Sequence, residues 1–216
     1  MPLKSMYAAV AITALVASSS FSPAPGKINP IKTSPAAFNT PGDVTKWTVD
    51  KAHSSVKFSV THMVVSEVEG TFKIFDGTME HSKPDFSDAK IEFSVDVSSI
   101  NTDNERRDGH LKTDDFFNAE KFPQMKFVST SFTPAGDKKY KLVGNLTIRD
   151  VTKPVTFDVT YGGTITDKGV VKSGFKAKST VNRFDYNLKW SNVTEAGGLV
   201  ASKEVDITVN LELKKS

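Results

Sequence analysis

From residue 46 onward, hydrophobic and polar residues alternate along most of this chain. In residues 55–63, Val56, Phe58 and Val60 fall on one face and Lys57, Ser59 and Thr61 on the other, the period of two that a half-buried strand requires. A short strand carrying Trp47 and Val49 precedes it. Residues 68–79 continue with Phe72 and Ile74 on the apolar side, and Asp76-Gly77 reads as a hairpin turn or as a bend within one long strand. Ile91, Phe93, Val95 and Val97 then oppose Glu92, Ser94 and Asp96. The pattern resumes after Pro123 with Met125 and Phe127, then Leu142, Gly144, Leu146 and Ile148, then Val155, Phe157, Val159 and Tyr161. Gly162-Gly163 predicts a bulge where the sheet curls. Phe175 and Ala177 follow, and after a long loop over residues 182–198 the last strand carries Val205, Ile207, Val209 and Leu211.

One segment breaks the alternation. Residues 101–123, NTDNERRDGHLKTDDFFNAEKFP, read as a helical crossover. Thr102 with Glu105 has the form of a capping box, a short helix runs to about Lys112, and Thr113 with Asp114 and Asp115 has the makings of a second cap. Pro123 returns the chain to strands.

About eight strands joined mostly by tight turns, with one helical crossover about halfway, predict an all-β fold. Closing into an antiparallel barrel is the simplest way for such a sheet to remove its edges. Its inward set is Val56, Phe58, Val60, Phe72, Ile74, Phe93, Val95, Phe127, Leu146, Phe157, Val159, Phe175, Ile207 and Val209. Nothing in it is charged, so the interior is either a packed core or a cavity for one apolar ligand, and periodicity does not separate the two. An inverted, lipid-facing barrel conflicts with the other face, where Lys57, Lys73, Glu92, Lys126, Lys141 and Asp158 suit water and no aromatic girdles mark the strand ends.

Composition adds the setting. The 216 residues carry a formal charge of +3 and no cysteine, with basic residues scattered rather than gathered on one face, so nucleic acid is not an expected partner. Residues 1–22 have a lysine, an uncharged apolar run and a small-residue exit, which predicts a signal peptide and a periplasmic or secreted protein. Residues 23–45, rich in Pro, Ser, Thr and Asn, read as a flexible tether, leaving residues 46–216 as the folded domain. Stable membrane insertion is not expected once the signal is removed.

Four stretches together carry a resemblance: WTVDKAHSSVKFSVTHMVVSEVEGTF at 47–72, SINTDNERRDGHLKTDDFFNAEKFPQMKFVST at 99–130, GNLTIRDVTKPV at 144–155 and NRFDY at 182–186. In this order and spacing they resemble the YceI-like family of exported lipid-binding proteins. The resemblance implies a lipocalin-like barrel, bacterial and periplasmic, whose elongated cavity holds a polyisoprenoid, an isoprenoid quinone or a fatty amide. The tether is longer than that family needs. A true lipocalin would carry Gly-x-Trp in its first strand, and Trp47 lacks that context.

Candidate chemistry gathers at 106–115 and at the chain's histidines. Arg107, Asp108 and His110, with Arg183 and Asp185, are read as pinning the rim of the barrel or meeting a ligand's polar end. His62 continues the inward face after Val60, as a core histidine or a headgroup partner. A hydrolase or isomerase built on His110 and Asp108 is the rival from another class, and a packed barrel acting through its outer surface is a third. No nucleophile elbow, phosphate loop or His-x-His pair is present, so no catalytic residue, metal or cofactor is expected beyond a bound long-chain lipid. The partners this reading admits are a long-chain amphiphilic lipid and a second copy of the chain in a homodimer.

Overall fold

In a computed structural model, residues 43–193 and 200–216 are described. Their strands are β1 (Thr45–Val49), β2 (Ser55–His62), β3 (Ser66–Phe72), β4 (Phe75–His81), β5 (Lys90–Asp96), β6 (Ile100–Asn101), β7 (Gln124–Pro134), β8 (Lys139–Ile148), β9 (Val151–Asp167), β10 (Val170–Asn182) and β11 (Glu204–Lys215). Among the described residues a single α-helix, α1 (Glu105–Leu111), lies between β6 and β7. The expected signal peptide and most of the tether lie outside the described residues.

All pairings are antiparallel. Neighbours run β1-β4-β5-β7-β8-β9-β10-β11, and β11 returns to β1, closing an eight-stranded barrel. β11 also pairs with β2 through Asp206–Asn210 while its last residues, Leu213–Lys215, pair with β1. β1 and β2 are therefore two halves of one long stave, interrupted by a 3₁₀ turn at Lys51–His53 that Asp50 caps. β3 and β4 form the next stave and β5 and β6 the third, because β2 pairs β3 where β1 pairs β4, and β3 pairs β6 where β4 pairs β5.

The break between β3 and β4 corrects the sequence reading at Ile74. Phe72 faces inward; Lys73 and Ile74 then insert a bend, and the buried positions resume at Phe75, Gly77 and Met79. A slip of one residue reverses every side chain beyond it. Ile74 is 60% exposed. Asp76-Gly77 is accordingly inside a strand and not a hairpin. The Gly162 bulge is present: Gly174 pairs Gly163 but Phe175 pairs Tyr161, and Gly163 has φ 122°.

The start of α1 also differs from the expected capping box. Asn104 is the cap, its side chain accepting from Arg107 N at 3.0 Å. Thr102 is engaged elsewhere, its amide and hydroxyl both donating to Asp108 Oδ1 at 2.9 and 2.5 Å. After α1 the chain runs through turns, without the second helical turn, to β7.

One end of the barrel is filled by rings. Phe86, held at φ 60° in the β4–β5 loop, meets His81, Tyr161, Phe175 and Tyr140 at centroid separations of 4.6, 5.4, 5.6 and 6.4 Å. Phe132 stacks on Tyr140 at 4.5 Å. Trp47 Nε1–H donates to His81 Nε2, whose Nδ1 in turn bonds Lys83 O, so the polar edges of these two rings are satisfied. Val159 is buried in the same half, between Tyr140 on β8 and Ala177 on β10 in the sheet. The plug thus rests on a loop residue, and Phe86→Ala is expected to lower unfolding free energy by about 3–5 kcal/mol in urea titration. Ile74→Ser should stay within about 0.5 kcal/mol of the unaltered protein.

Candidate functional site

The other half of the barrel is hollow. A cavity of about 360 Å³ lies inside it, lined almost wholly by apolar side chains. From the walls come Val56, Phe58 and Val60 on β2, Phe72 on β3, Phe93 and Val95 on β5, Phe127 on β7, Leu146 on β8, Phe157 on β9 and Ile207 and Val209 on β11. Val159 and Phe175 do not reach it, because both stand in the plugged half. Ile74 faces out for the reason given above.

The lumen stays open because three of its rings lie against the wall. A Cβ on Gly70 would stand 2.3 Å from the Phe58 ring, one on Gly77 2.4 Å from Phe93, and one on Gly144 2.3 Å from Phe127. Each ring occupies the space a neighbouring side chain would have taken, an arrangement in which an aromatic covers a glycine on the next strand. Phe58 and Gly70 are direct cross-strand partners, as are Gly77 and Phe93.

The crossover and the loop after β10 roof the hollow end. Leu111, Phe116 and Phe117 from the crossover line the cavity, with Leu188, Trp190, Val200 and Ala201 from the loop. Phe116 and Trp190 are 5.4 Å apart, and the His110 ring stands edge-on to both, at 5.1 and 5.5 Å. Phe117 meets Phe72 edge-on at 6.0 Å, tying roof to wall.

On the wall strands Lys57 and Lys126, both exposed, also border the cavity, and His62, Thr102, Arg107, His110 and Arg183 complete its polar lining. Arg107 Nε donates to Thr102 Oγ1 and Nη2 to Thr102 O, both at 2.8 Å, and Thr102 passes on to Asp108. Asp108 is therefore a buried brace that ties α1 to Thr102 beside β6, the pinning role, and it does not line the lumen. His110 Nε2 bonds Asp115 Oδ2 at 2.8 Å, so His110 and Asp108 have different partners and do not form the acid–base pair that an enzyme reading needs. Arg183, 6% exposed, donates to the carbonyls of Leu188 (2.6 Å), Trp190 (2.8 Å), Ser202 (2.8 Å) and Ala201 (3.0 Å). No carboxylate joins it among the described residues, and burial pulls its pKa below the ordinary arginine value. Its fork holds the two arms of the loop together. Asp185 is exposed beside it and lines nothing.

Arg149, present in the sequence only as one residue of the 144–155 motif, also pins the crossover to the barrel. Its Nη1 donates to the carbonyls of Asp114, Phe116 and Asn187, its Nη2 to Asp114 Oδ1 at 2.6 Å, and its guanidinium lies 5.5 Å from the Phe122 ring. Only its place in the two-residue β8–β9 turn, opposite the crossover, puts it in reach, and nothing local in the sequence signals that.

A cluster outside the lumen brings Asp50, His53 and Glu212 together. Lys214 stands 2.9 Å from Asp50 and Lys172 2.9 Å from Glu212. Hydrogen bonds from Lys214 and then His53 hold the Asp50 carboxyl well below the usual range. With both carboxylates already paired to lysines, this is an ion-pair network at a stave break.

An eight-stranded antiparallel barrel, plugged at one end and roofed around an apolar lumen at the other, is of lipocalin-like build. The YceI-like domain model matches residues 47–213, and the chain belongs to that family. UPF0312 proteins of Staphylococcus aureus are 37% identical over 175 residues, covering 80% of this chain and 99% of theirs. Among solved structures, Burkholderia cenocepacia BcnA superposes with a TM-score of 0.64 at 26% identity, over 76% of this chain and 98% of that one. The Campylobacter jejuni YCEI protein gives 0.63 at 32% identity, over 78% and 96%. A domain from Saccharophagus degradans described as polyisoprenoid-binding shares the fold, with a TM-score of 0.58 at 15% identity, over 79% and 98%.

Two outcomes follow from the lumen wall and its roof. Gly70→Ala should push the Phe58 ring inward, destabilising the fold by about 1–3 kcal/mol and reducing the hydrocarbon the protein takes up in a fluorescent-probe titration. Hydrogen bonds from Asn118 and then Arg149 lower the Asp114 pKa. A depressed folded value means the latch contributes fully above the unfolded carboxylate value, about 3.9, and is lost as pH falls through the folded one. Trp190 emission, read in a Trp47→Phe background, should therefore shift to the red below about pH 4, and Arg149→Ala should give the same shift at neutral pH.

Proposed function

We propose that this chain is an exported binding protein that holds one long apolar chain, of polyisoprenoid, isoprenoid quinone or fatty amide type, in its barrel. The single observation that carries the reading is the cavity of about 360 Å³, within the size range of small-molecule sites and walled mostly by apolar side chains. Each methylene moved from water into such a space contributes about 0.8 kcal/mol, so affinity comes from chain length and shape. The polar end of the ligand lies under the roof, where Arg107, His62 and His110 supply donors. Likeness to the Saccharophagus degradans domain, described as polyisoprenoid-binding, supports the ligand class. The leader over residues 1–22 supports export. No helix among the described residues is long and apolar enough to cross a membrane.

The role is sequestration or delivery of a lipid and not its chemical conversion, since the candidate acid–base residues face separate partners. Native mass spectrometry of protein purified from the exported fraction, followed by organic extraction, tests this. One long-chain amphiphile per barrel is expected; an empty barrel that takes up no added isoprenoid or fatty amide overturns the reading. Phe58→Asp, which sets a carboxylate in the lumen wall, should weaken uptake at least about a hundredfold. His110→Ala removes one donor and should cost about fivefold.

A further inference from the structure

The β2–β3 hairpin ends in His62-Met63-Val64-Val65, closed by a Val65 N–H bond to His62 O at 3.2 Å. Met63 and Val64 both take the left-handed conformation, with φ of 50° and 65°. Positive φ at two successive residues is what Asn-Gly adopts with least strain, and a β-branched residue there is a true outlier. The strain is not repaid by burial. Met63, Val64 and Val65 are 46%, 77% and 86% exposed.

The tip is also continuous with the lumen. His62 forms an antiparallel bridge with Ala201, and Met63 N–H donates to Val200 O at 3.0 Å. His62, Val200 and Ala201 all line the cavity, so the exposed tip directly adjoins the lining of the hollow end of the barrel. From Thr61 to Ser66 the one titratable side chain is His62, and the first flanking charge in the sequence is acidic, Glu67.

We infer that this tip is a membrane-docking wedge: Met63, Val64 and Val65 enter the interfacial zone of a bilayer and set the roofed end of the lumen against it. The inference rests on the lipid-carrier reading and adds the route by which the cargo arrives. A long hydrocarbon leaving a bilayer for a distant cavity must cross water, and docking the roofed end against the bilayer shortens that path. With no lysine or arginine from Thr61 to Ser66, attachment comes from apolar burial and does not depend on anionic lipid or on salt.

The test uses the double variant Met63→Asn, Val64→Gly, which installs the least strained turn pair while removing two apolar side chains. Wild-type and variant proteins are floated with phosphatidylcholine vesicles, and uptake of a pyrene-labelled long-chain lipid is followed from those vesicles and, separately, from dilute ethanol. The expected result is a melting temperature at or above the wild type's, unchanged equilibrium uptake from ethanol, lost flotation, and transfer from vesicles at least about tenfold slower. Equal flotation and transfer by the variant overturn the inference, as does a rate that requires anionic lipid. A wild type that never floats overturns it too and leaves the tip to a protein partner. Loss of ethanol-delivered uptake in the variant also contradicts it, because the tip then belongs to the lumen itself. A wild type that floats but takes up no probe by either route defeats the carrier reading while the docking surface stands.

Discussion

Closure of the sheet by β11 is the constraint on which the rest depends. Its first half is hydrogen-bonded to β2 and its last residues to β1, so the ring has no free edge at the seam and every second side chain of eight staves is driven inward. Once that is so, the interior is decided by where the large rings stand. At one end Phe86, Phe132, Tyr140, Tyr161 and Phe175 meet and fill it. At the other, Phe58, Phe93 and Phe127 lie back over Gly70, Gly77 and Gly144, and the space they vacate is the lumen.

The breaks in the first three staves serve that division. At Asp50–Ser54 and at Lys73–Ile74 the inward phase slips, so that Phe72 and Phe75 both point inside although they are three residues apart. Phe72 belongs to the lumen wall and Phe75 stacks on Phe93 at 5.9 Å toward the filled half. Charge is kept to the outer surface and to the roof, where Arg107, Arg149 and Arg183 spend most of their donors on backbone carbonyls and a threonine hydroxyl. These arginines stabilise irregular chain by satisfying carbonyls that no strand partner reaches.

Much of this was legible in the alternation of the chain. The antiparallel barrel, the crossover over residues 101–123, the long loop after residue 182 and the Gly162 bulge all follow from periods and turn residues, and the family likeness is carried by four ordered motifs. Ile74 was misread because a one-residue slip leaves no mark in composition: Phe72 and Ile74 keep perfect spacing, and only the pairing shows where the phase turns over. Phe175 and Val159 have the right phase but the wrong height along the barrel, which periodicity does not report. Phe86 lies in a loop and Phe116 and Phe117 in turns, so no period of two or 3.6 singles them out. Asp108 and Asp185 drew attention as charges beside arginines, and the fold turns one toward Thr102 and the other to solvent.

The central claim is that the hollow half is a dry hydrocarbon-sized space and not a loosely packed core. A crystal structure of the protein under xenon pressure reads this directly, since apolar cavities admit xenon and stay free of ordered water. The account predicts xenon among Phe58, Phe127 and Ile207, or in its place the continuous density of a retained chain. Ordered water in that space, or Phe58 and Phe127 swung inward to fill it with no xenon bound, would contradict it.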